Sequence, residues 1–322
     1  MLNGLWFTDT HKERFIPTVL VTGANGVVGS AVVRRLSIAP DFYCLPVTRQ
    51  DCDLLDGDSV RKLIQQLRPD FVVAAAALVG GISANMAAPV RFLVENLEIQ
   101  TNLMLAASEA GVSKFVFLGS SCIYPRLAPQ PMLEDSLMTG PLEPTNESYA
   151  IAKLAGIQLA RSISSERNMR FVIPLPPNIY GPNDHFDFER AHVLSSLVKR
   201  FCDAVENKSE EVTVWGSGSA RREFMHSDDL ADAILFLLRL DDPPFLINVG
   251  VCYDVAISEA AELIKELAGY HGQIVYDLTK PDGMPRKLLD SRRFEGLGWR
   301  PKISLNQGLI SLIHEYRGRL KL

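Results

Sequence analysis

Hydrophobic positions along the chain fall into short apolar runs that alternate with segments of helical length. The runs are rich in β-branched and aromatic residues and predict strands at Thr18–Thr22, Tyr43–Val47, Phe71–Ala75, Lys114–Leu118 and Met169–Ile173. Helices are predicted from about Gly26 to Leu36 and over Ala88–Ala110, where apolar residues recur at helical spacing. Such alternation is typical of an α/β fold with a doubly wound parallel sheet covered by helices on both faces.

The character of the chain changes after residue 180. The Tyr180-Gly181-Pro182 turn is followed by more loops, aromatic residues and basic residues. We therefore predict a cofactor domain over residues 17–180 and a smaller C-terminal α+β substrate domain over residues 181–322. A predicted helix at Ser227–Leu240 and a predicted strand at Leu246–Gly250 indicate that a segment at about residues 225–250 returns to the first domain.

Composition and charge argue against several classes of protein. The 322 residues are 47% hydrophobic, and their formal net charge of −5 gives no general attraction to nucleic acid or acidic membranes. No apolar run approaches the roughly 18 residues that a membrane helix needs. Residues 1–16 lack a signal-peptide core, and the five cysteines have neither CxxC pairs nor metal-ligand spacing. We expect a cytoplasmic protein that binds no nucleic acid, membrane or metal.

A glycine-rich motif separates the first predicted strand from the first predicted helix. Gly23 permits a tight turn, Gly26 lets the backbone approach a pyrophosphate, and Gly29 lets helix and strand pack closely. The helix N-terminus adds N–H donors for an anion. A glycine-rich turn without a ligand is the alternative, but the strand–turn–helix context favours a Rossmann-type dinucleotide site. Its predicted contacts are Gly23, Ala24, Asn25, Gly26, Val27, Val28 and Gly29.

The segment after the second predicted strand indicates which dinucleotide binds. NAD enzymes usually carry an acid there for the ribose 2′-hydroxyl, whereas Pro46–Gln50 contains no acid and one arginine, Arg49. A guanidinium suits the 2′-phosphate of NADP(H), although a solvated surface arginine is the alternative. Asp53 and Leu54, just beyond, are predicted to border the adenine.

A catalytic group is predicted from two further segments. Ser120 follows the strand Lys114–Leu118, so its hydroxyl is expected at the carboxyl edge of the sheet, where open α/β sheets bind ligands. Tyr149 and Lys153 have the i,i+4 spacing that puts phenol and ammonium on one helix face, and we expect the ammonium to lower the pKa of the phenol. YxxxK alone is common on solvated helices, but here it follows the glycine motif and the serine in the order typical of a dehydrogenase.

Four longer stretches are more specific than these motifs. They are GSSCIYPRLAPQP from Gly119, GPLEPTNESYAIAKLAGI from Gly140, VWGSGSARREFMHSDDLADA from Val214 and KPDGMPRKLLD from Lys280. On these stretches the chain resembles the GDP-L-fucose synthases, which are extended short-chain dehydrogenases/reductases. The resemblance runs from about residue 19 to residue 299. It implies epimerisation of GDP-4-keto-6-deoxy-D-mannose at C3 and C5 and reduction at C4 with NADPH, giving GDP-L-fucose.

The resemblance also implies a role for each matching residue. Tyr149 becomes the catalytic acid, Lys153 its partner and a ribose ligand, and Ser120 the hydroxyl that holds the carbonyl. Cys122 removes a proton next to the ketone, and His192 delivers one on the opposite face. Taken alone, Cys122 is more simply a buried small hydrophobe, and His192 a structural or surface histidine.

Binding contacts are carried over in the same way. Substrate contacts are implied at Arg200, Trp215, Arg222 and Asp282. Cofactor contacts are implied at Pro176, Pro177, Asn178, Ile179 and His192. Arginine pairs with a pyrophosphate through two hydrogen bonds, and tryptophan offers apolar area with an N–H donor. A bare Pro-Asp-Gly, as at Asp282, is otherwise usually a turn.

Four positions depart from the pattern of these synthases. Asn25 replaces a basic residue, Leu78 a lysine, Pro177 a threonine, and Ala191 a serine. No catalytic group is removed, but a related substrate is left open. The alternatives are a sister enzyme such as a GDP-L-colitose synthase and a non-catalytic nucleotide-binding regulator. Dimers through a helix pair are usual in this superfamily, so a homodimer is expected.

Overall fold

The computed structural model describes residues 16–187 and 191–320. The N-terminal segment in which the sequence lacks a signal-peptide core lies, apart from Ile16, outside the described residues. In the described part of the chain, no helix is both long enough and apolar enough to cross a membrane.

The strands are short and the larger sheet is fully parallel. In chain order they are β1 (Thr18–Thr22), β2 (Tyr43–Val47), β3 (Phe71–Ala74), β4 (Lys114–Phe117), β5 (Arg170–Leu175), β6 (Asn178–Tyr180), β7 (Glu211–Trp215), β8 (Arg221–Arg222), β9 (Phe224–His226), β10 (Leu246–Asn248), β11 (Val255–Ala256), β12 (Gln273–Asp277) and β13 (Arg286–Lys287). Six of them form a sheet in the order β10-β5-β4-β3-β1-β2. The chain order reverses between β1 and β3, which is where doubly wound sheets bind ligands.

The helices cover this sheet and build a second layer beside it. They are α1 (Val27–Ser37), α2 (Gly57–Leu67), α3 (Ile82–Ala87), α4 (Pro89–Glu109), α5 (Glu147–Arg167), α6 (Val193–Glu206), α7 (Ser227–Arg239), α8 (Ile257–Ala268), α9 (Arg292–Gly296) and α10 (Leu305–Arg319). Apolar side chains of α2, α4 and α5 fill the core on one face of the sheet. Those of α1, α7 and α9 fill the core on the other face, and α6, α8 and α10 share a third core.

The predicted doubly wound parallel sheet and its main elements are confirmed. β1 and β2 have the predicted bounds, and β3 and β4 end one residue earlier because the chain turns away at Ala75 and Leu118. β5 is the strand that differs most, since it runs from Arg170 to Leu175, two residues beyond its predicted end. Pro46 is tolerated within β2 because β2 is the edge strand of the sheet.

The second half of the chain divides its elements between the two layers. α7 packs against α1, and β10 joins the large sheet beside β5. The helix and strand at about residues 225–250 therefore lie with the large sheet and its helices. The remaining small sheets pair β7 with β12, and β8 with both β11 and β13. β6 and β9 pair between the layers. The division into a cofactor domain and a substrate domain stays a prediction.

Candidate active site

The carboxyl ends of the parallel strands open into a cavity of about 430 Å³, a size typical of ligand sites. Its wall comes from the glycine-rich turn, the segments after β2 and β4, helix α5 and residues 176–179. The predicted residues that it brings together are Gly23, Gly26, Val27, Val28, Arg49, Asp53, Leu54, Ser120, Cys122, Tyr149, Lys153, Pro176, Pro177, Asn178, Ile179 and His192. Ala24 and Asn25, in the turn, and Gly29, in the first turn of α1, are not part of this wall.

The glycine-rich turn has the shape of a cradle for a dinucleotide. Gly23 has a φ of +67°, and a Cβ there would lie 2.8 Å from the backbone of Ala76. A Cβ on Gly29 would lie 2.0 Å from the Gly23 carbonyl oxygen, so α1 approaches β1 only because that side chain is absent. No side chain caps the N-terminus of α1, and its first turn contains no acid. Its N–H groups are therefore suited to the pyrophosphate of NADP(H).

The end of β2 presents an arginine without a competing carboxylate. Arg49 is exposed at the cavity wall. The nearby Asp51 is engaged by its own turn, because its carboxylate accepts the N–H and hydroxyl of Thr48 at 2.8 and 2.7 Å. Asp53 also accepts the Leu55 N–H, at 3.2 Å. This arrangement fits a 2′-phosphate better than a 2′-hydroxyl.

Ser120, Tyr149 and Lys153 come together where β4 ends beside α5. The Ser120 hydroxyl accepts the Cys122 N–H at 3.1 Å, and it partly opposes the rise that burial causes in the pKa of the Tyr149 phenol. Lys153 is buried, and its ammonium donates to the Leu118 carbonyl at 3.0 Å. That ammonium lies 5.9 Å from the centre of the Tyr149 ring. The predicted triad of hydroxyl, phenol and ammonium thus shares one corner of the cavity.

The expectation that Lys153 lowers the pKa of Tyr149 is wrong for this structure. Burial raises the pKa of the Tyr149 phenol well above 10, and the charge of Cys122 raises it further. Burial also lowers the pKa of Lys153 to about 8. The physical reason is that the ammonium is directed at the Leu118 carbonyl, while the phenol sits in a desolvated corner. The phenol therefore remains protonated at neutral pH.

Cys122 has a partner that the sequence did not predict. The Lys287 ammonium lies 3.1 Å from the Cys122 sulfur. Burial disfavours the thiolate, but Lys287, the Ser120 hydroxyl and the charge of Arg222 outweigh it and lower the pKa of Cys122. Lys287 lies on β13, opposite Arg222 on β8. The only sequence signal was its position in the KPDGMPRKLLD stretch, 165 residues after the cysteine.

His192 also lines the cavity and lies immediately before α6. The neighbouring Asp184 is 2% exposed, and its carboxylate accepts the Ser195 hydroxyl and the His185 N–H. Burial raises the pKa of Asp184, and His192 opposes that shift, so the two side chains are within electrostatic reach. Asp184 is a second site residue that sequence reasoning missed.

The four predicted substrate residues form a cluster outside the cavity wall. Arg200 and Lys280 both lie over the Trp215 ring, at 5.2 and 5.3 Å from its centre, distances typical of cation–π contacts. Arg222 donates to the Asp282 carbonyl at 3.1 Å and so joins this cluster to Cys122. The pair of cations beside an aromatic ring suits a nucleoside diphosphate.

The Asp282 carboxylate, which was expected to accept from a sugar hydroxyl, is already hydrogen-bonded within the protein. Its carboxylate already accepts the N–H and hydroxyl of Ser217, at 2.7 and 2.9 Å. It packs so closely that a Cβ on Gly216 would lie 2.2 Å from its oxygen. Asp282 thereby ties the loop after β7 to the loop after β12, and its contact with substrate stays a prediction.

The positions that depart from the synthase pattern occupy different surroundings. Leu78 and Pro177 line the cavity, and the Leu78 backbone is held by Asn96 through two bonds of 3.0 Å. Asn25 is exposed beside the glycine-rich turn, where it offers no positive charge. The Ala191 carbonyl lies close to Gly81, the residue immediately before α3.

Comparison with known proteins gives a consistent family. Residues 19–250 match the model of the NAD dependent epimerase/dehydratase family. The chain is 48% identical over 291 residues to GDP-L-fucose synthase 1 of Arabidopsis thaliana, covering 90% of both chains. It is 38% identical to a GDP-L-colitose synthase of Yersinia pseudotuberculosis, covering 90% of this chain and 95% of that protein. A GDP-L-fucose synthetase of Naegleria fowleri bound to NADP superposes with a TM-score of 0.85 at 26% identity, covering 95% of each chain.

Proposed function

The chain belongs to the NAD dependent epimerase/dehydratase family and to its GDP-L-fucose synthase branch, and we propose that it converts GDP-4-keto-6-deoxy-D-mannose to GDP-L-fucose. The reaction inverts C3 and C5 and then reduces the ketone at C4. One observation carries the proposal: a thiol paired with an ammonium at 3.1 Å shares a cavity with a serine–tyrosine–lysine group. A reductase needs only the second of these, whereas an epimerase-reductase needs both.

The cofactor is NADP(H), held by the glycine-rich turn with Arg49 on the 2′-phosphate. Lys153 would hold the ribose, and residues 176–179 would contact the nicotinamide. Asp53 and Leu54 border the adenine. When bound, NADPH supplies the hydride for C4. The absence of a Cβ at Gly23 and Gly29 supports this assignment, because any other residue would close the cradle.

Epimerisation is assigned to Cys122 and His192. The thiolate takes a proton from the carbon next to the ketone, which leaves an enolate whose oxygen Ser120 holds by a hydrogen bond. His192 then gives a proton to the opposite face of that carbon, and the centre is inverted. The Lys287 ammonium 3.1 Å from the sulfur supports the role of Cys122, since it favours the thiolate and a thiolate is a competent carbon base where a thiol is not.

Reduction is assigned to Tyr149. Its phenol donates a proton to the C4 oxygen as the carbonyl becomes an alcohol, while Ser120 keeps that oxygen in place. The raised pKa of the buried phenol suits this direction, because the group must enter the step protonated. Arg200, Trp215, Lys280 and Arg222 hold the GDP part of the substrate, with Asp282 bracing the loop that carries Trp215.

The test is incubation with the keto sugar and NADPH in deuterium oxide, followed by proton NMR. GDP-L-fucose carrying deuterium at C3 and C5 is the expected product. Deuterium at one carbon only would identify an enzyme that inverts a single centre. Tight NADPH binding without turnover on this sugar would contradict the proposal and favour a sister enzyme of the colitose type or a regulator.

We also propose that two copies associate through α4 and α5. These helices pack on each other, and Val90, Val94 and Ile151 are exposed apolar residues on them. Light scattering should give twice the chain mass, and Val94→Lys should shift it to one chain. A wild-type mass of one chain would contradict the homodimer.

The proposed compartment is the cytoplasm. All five cysteines are free, which suits a reducing environment, and the described part of the chain holds no helix able to cross a membrane. Cell fractionation with detection of the chain tests this, and recovery in a secreted fraction would overturn it.

A further inference from the structure

Glu223 is a buried carboxylate for which the proposed reaction has no direct use. It is 0% exposed and follows Arg222, between β8 and β9. One oxygen accepts the N–H groups of Val251 and Cys252, at 2.6 and 2.9 Å, and the other accepts the Leu289 N–H at 2.8 Å. Removing a carboxylate from water is costly, so a site that keeps one there needs the bonds it makes.

The surroundings of Glu223 are built to admit it. A Cβ on Gly250 would lie 2.3 Å from its carboxylate oxygen, so the backbone approaches as closely as a glycine allows. Burial raises the pKa of Glu223 to about 7, with a further contribution from Asp254, although three backbone N–H groups oppose the shift. A neutral side chain would avoid that cost but could not accept from all three donors.

Two hydrogen bonds of Glu223 join it to the segment that carries Lys287. Its own N–H donates to the Lys287 carbonyl at 3.2 Å, while its side chain holds the N–H of Leu289, two residues further on. Its carbonyl accepts the N–H and the side-chain amide of Asn178, both at 3.2 Å. A single residue thus holds the backbone at the lysine and immediately after it, and anchors a residue of the cavity wall.

We propose that Glu223 is a positioning residue for epimerisation, holding the Lys287 ammonium against the Cys122 sulfur by fixing the backbone from the Lys287 carbonyl to the Leu289 N–H. The inference rests on the proposed function for its consequence in catalysis. The geometry that it requires, however, exists without substrate. An ammonium on a long, flexible side chain stabilises a thiolate only if its backbone is held, because the interaction weakens as the separation grows.

The experiment measures how readily Cys122 ionises. Alkylation by iodoacetamide is followed across a pH series in the full chain, with peptide-resolved mass spectrometry reporting Cys122 separately from the other four cysteines. Glu223→Gln keeps one acceptor oxygen but points an NH₂ group at a backbone donor. Its alkylation midpoint should move up by about one pH unit, since the thiolate loses part of a nearby opposite charge. Deuterium exchange into the keto sugar should slow in parallel.

Two comparisons separate positioning from general support of the fold. Glu134→Gln is the matched control, because Glu134 is also a buried carboxylate that accepts a backbone N–H, from Asn248 at 3.0 Å. It should leave the Cys122 midpoint unchanged even if it lowers the melting temperature. In a Lys287→Met background, Glu223→Gln should cause no further shift of the pH midpoint for Cys122 alkylation, because the ammonium that Glu223 positions is already absent.

The outcomes are distinct from those of the proposed function, since alkylation needs neither substrate nor NADPH. A Glu223→Gln profile that coincides with the wild-type profile overturns the inference, and so does a full shift that persists in the Lys287→Met background. If Glu223→Gln does not accumulate as folded protein, Glu223→Asp serves in the same assay. The aspartate keeps the negative charge, but its side chain is shorter by one methylene. We therefore expect the Cys122 alkylation midpoint to move up by less than in Glu223→Gln.

Discussion

Two groups in one cavity, the reducing phenol of Tyr149 and the epimerising thiol of Cys122, have pKa values that are shifted in opposite directions. Burial alone would raise the pKa of both. It does so for Tyr149, but two cations, Lys287 and Arg222, together with the Ser120 hydroxyl, reverse the effect for Cys122. The ammonium nearest the phenol, on Lys153, is instead bonded to a carbonyl. The comparison teaches that the placement of cations, and not burial, separates the acid from the base in this site.

The two groups also differ in how the chain assembles them. Tyr149 and Lys153 share one helix, and Ser120 lies three residues after the end of the adjacent strand, so the reducing group is local to β4 and α5. The epimerising group draws Cys122, Lys287 and His192 from three segments that are far apart along the chain. We therefore expect substitutions in one group to impair mainly reduction and substitutions in the other group to impair mainly epimerisation.

The largest effect is expected from Cys122→Ser. A hydroxyl resembles the thiol in shape but has a far higher pKa, so deuterium exchange into C3 and C5 should slow by about a thousandfold. Proton NMR in deuterium oxide measures it, and NADPH binding should persist. With His192→Asn the base remains, so exchange is expected to continue at one centre while inversion fails. Unchanged exchange at both carbons in Cys122→Ser would return this cysteine to a packing role.

Tyr149→Phe should affect the other chemistry. Loss of the proton donor should lower the rate of C4 reduction by at least about a hundredfold, the usual size of a general-acid contribution. Exchange at C3 and C5 should be affected much less, and NADPH titration should give a similar dissociation constant. Near-normal reduction in this variant would mean that another group delivers the proton.

Lys287→Met tests the charge that distinguishes the thiol from the phenol. Removing the ammonium should raise the pKa of Cys122, and exchange at pH 7 should slow by about tenfold. The deficit should narrow as the pH rises, because the thiol then ionises without help. Lys265→Met, on α8 and outside the cavity wall, is the control. A deficit that stays constant with pH would show that Lys287 acts by another route.

The smallest effect is expected at the cofactor end, which serves both chemistries. Arg49→Ala should reduce the preference for NADPH over NADH by about tenfold, the loss of one charge-assisted hydrogen bond. Asn25→Arg should increase the preference by restoring a basic residue beside the turn. Initial rates with each cofactor measure both. A wild-type enzyme that uses NADPH and NADH equally well would refute the assignment of Arg49.

The local features of this chain were readable from sequence because short-range physics decides them. β-branched runs form the strands of the buried sheet. The glycine at position 29 is required by a contact only six residues away, because a Cβ there would lie 2.0 Å from the Gly23 carbonyl oxygen. The YxxxK spacing fixes Tyr149 and Lys153 on one helix face whatever else the fold does. Ser120 follows from its place at the end of a strand.

Tertiary structure alone decided the electrostatics and the partners. Lys287 reaches Cys122, which is 165 residues away along the chain, because β13 pairs with β8. Glu223 forms its hydrogen bonds only because the fold brings three distant segments around it. The direction of the Lys153 ammonium was likewise invisible, since helical spacing fixes a face but not the carbonyl that a flexible side chain finds. Sequence determines which groups exist and which face they share. The pKa of each group depends on charges and desolvation that only the packed fold supplies.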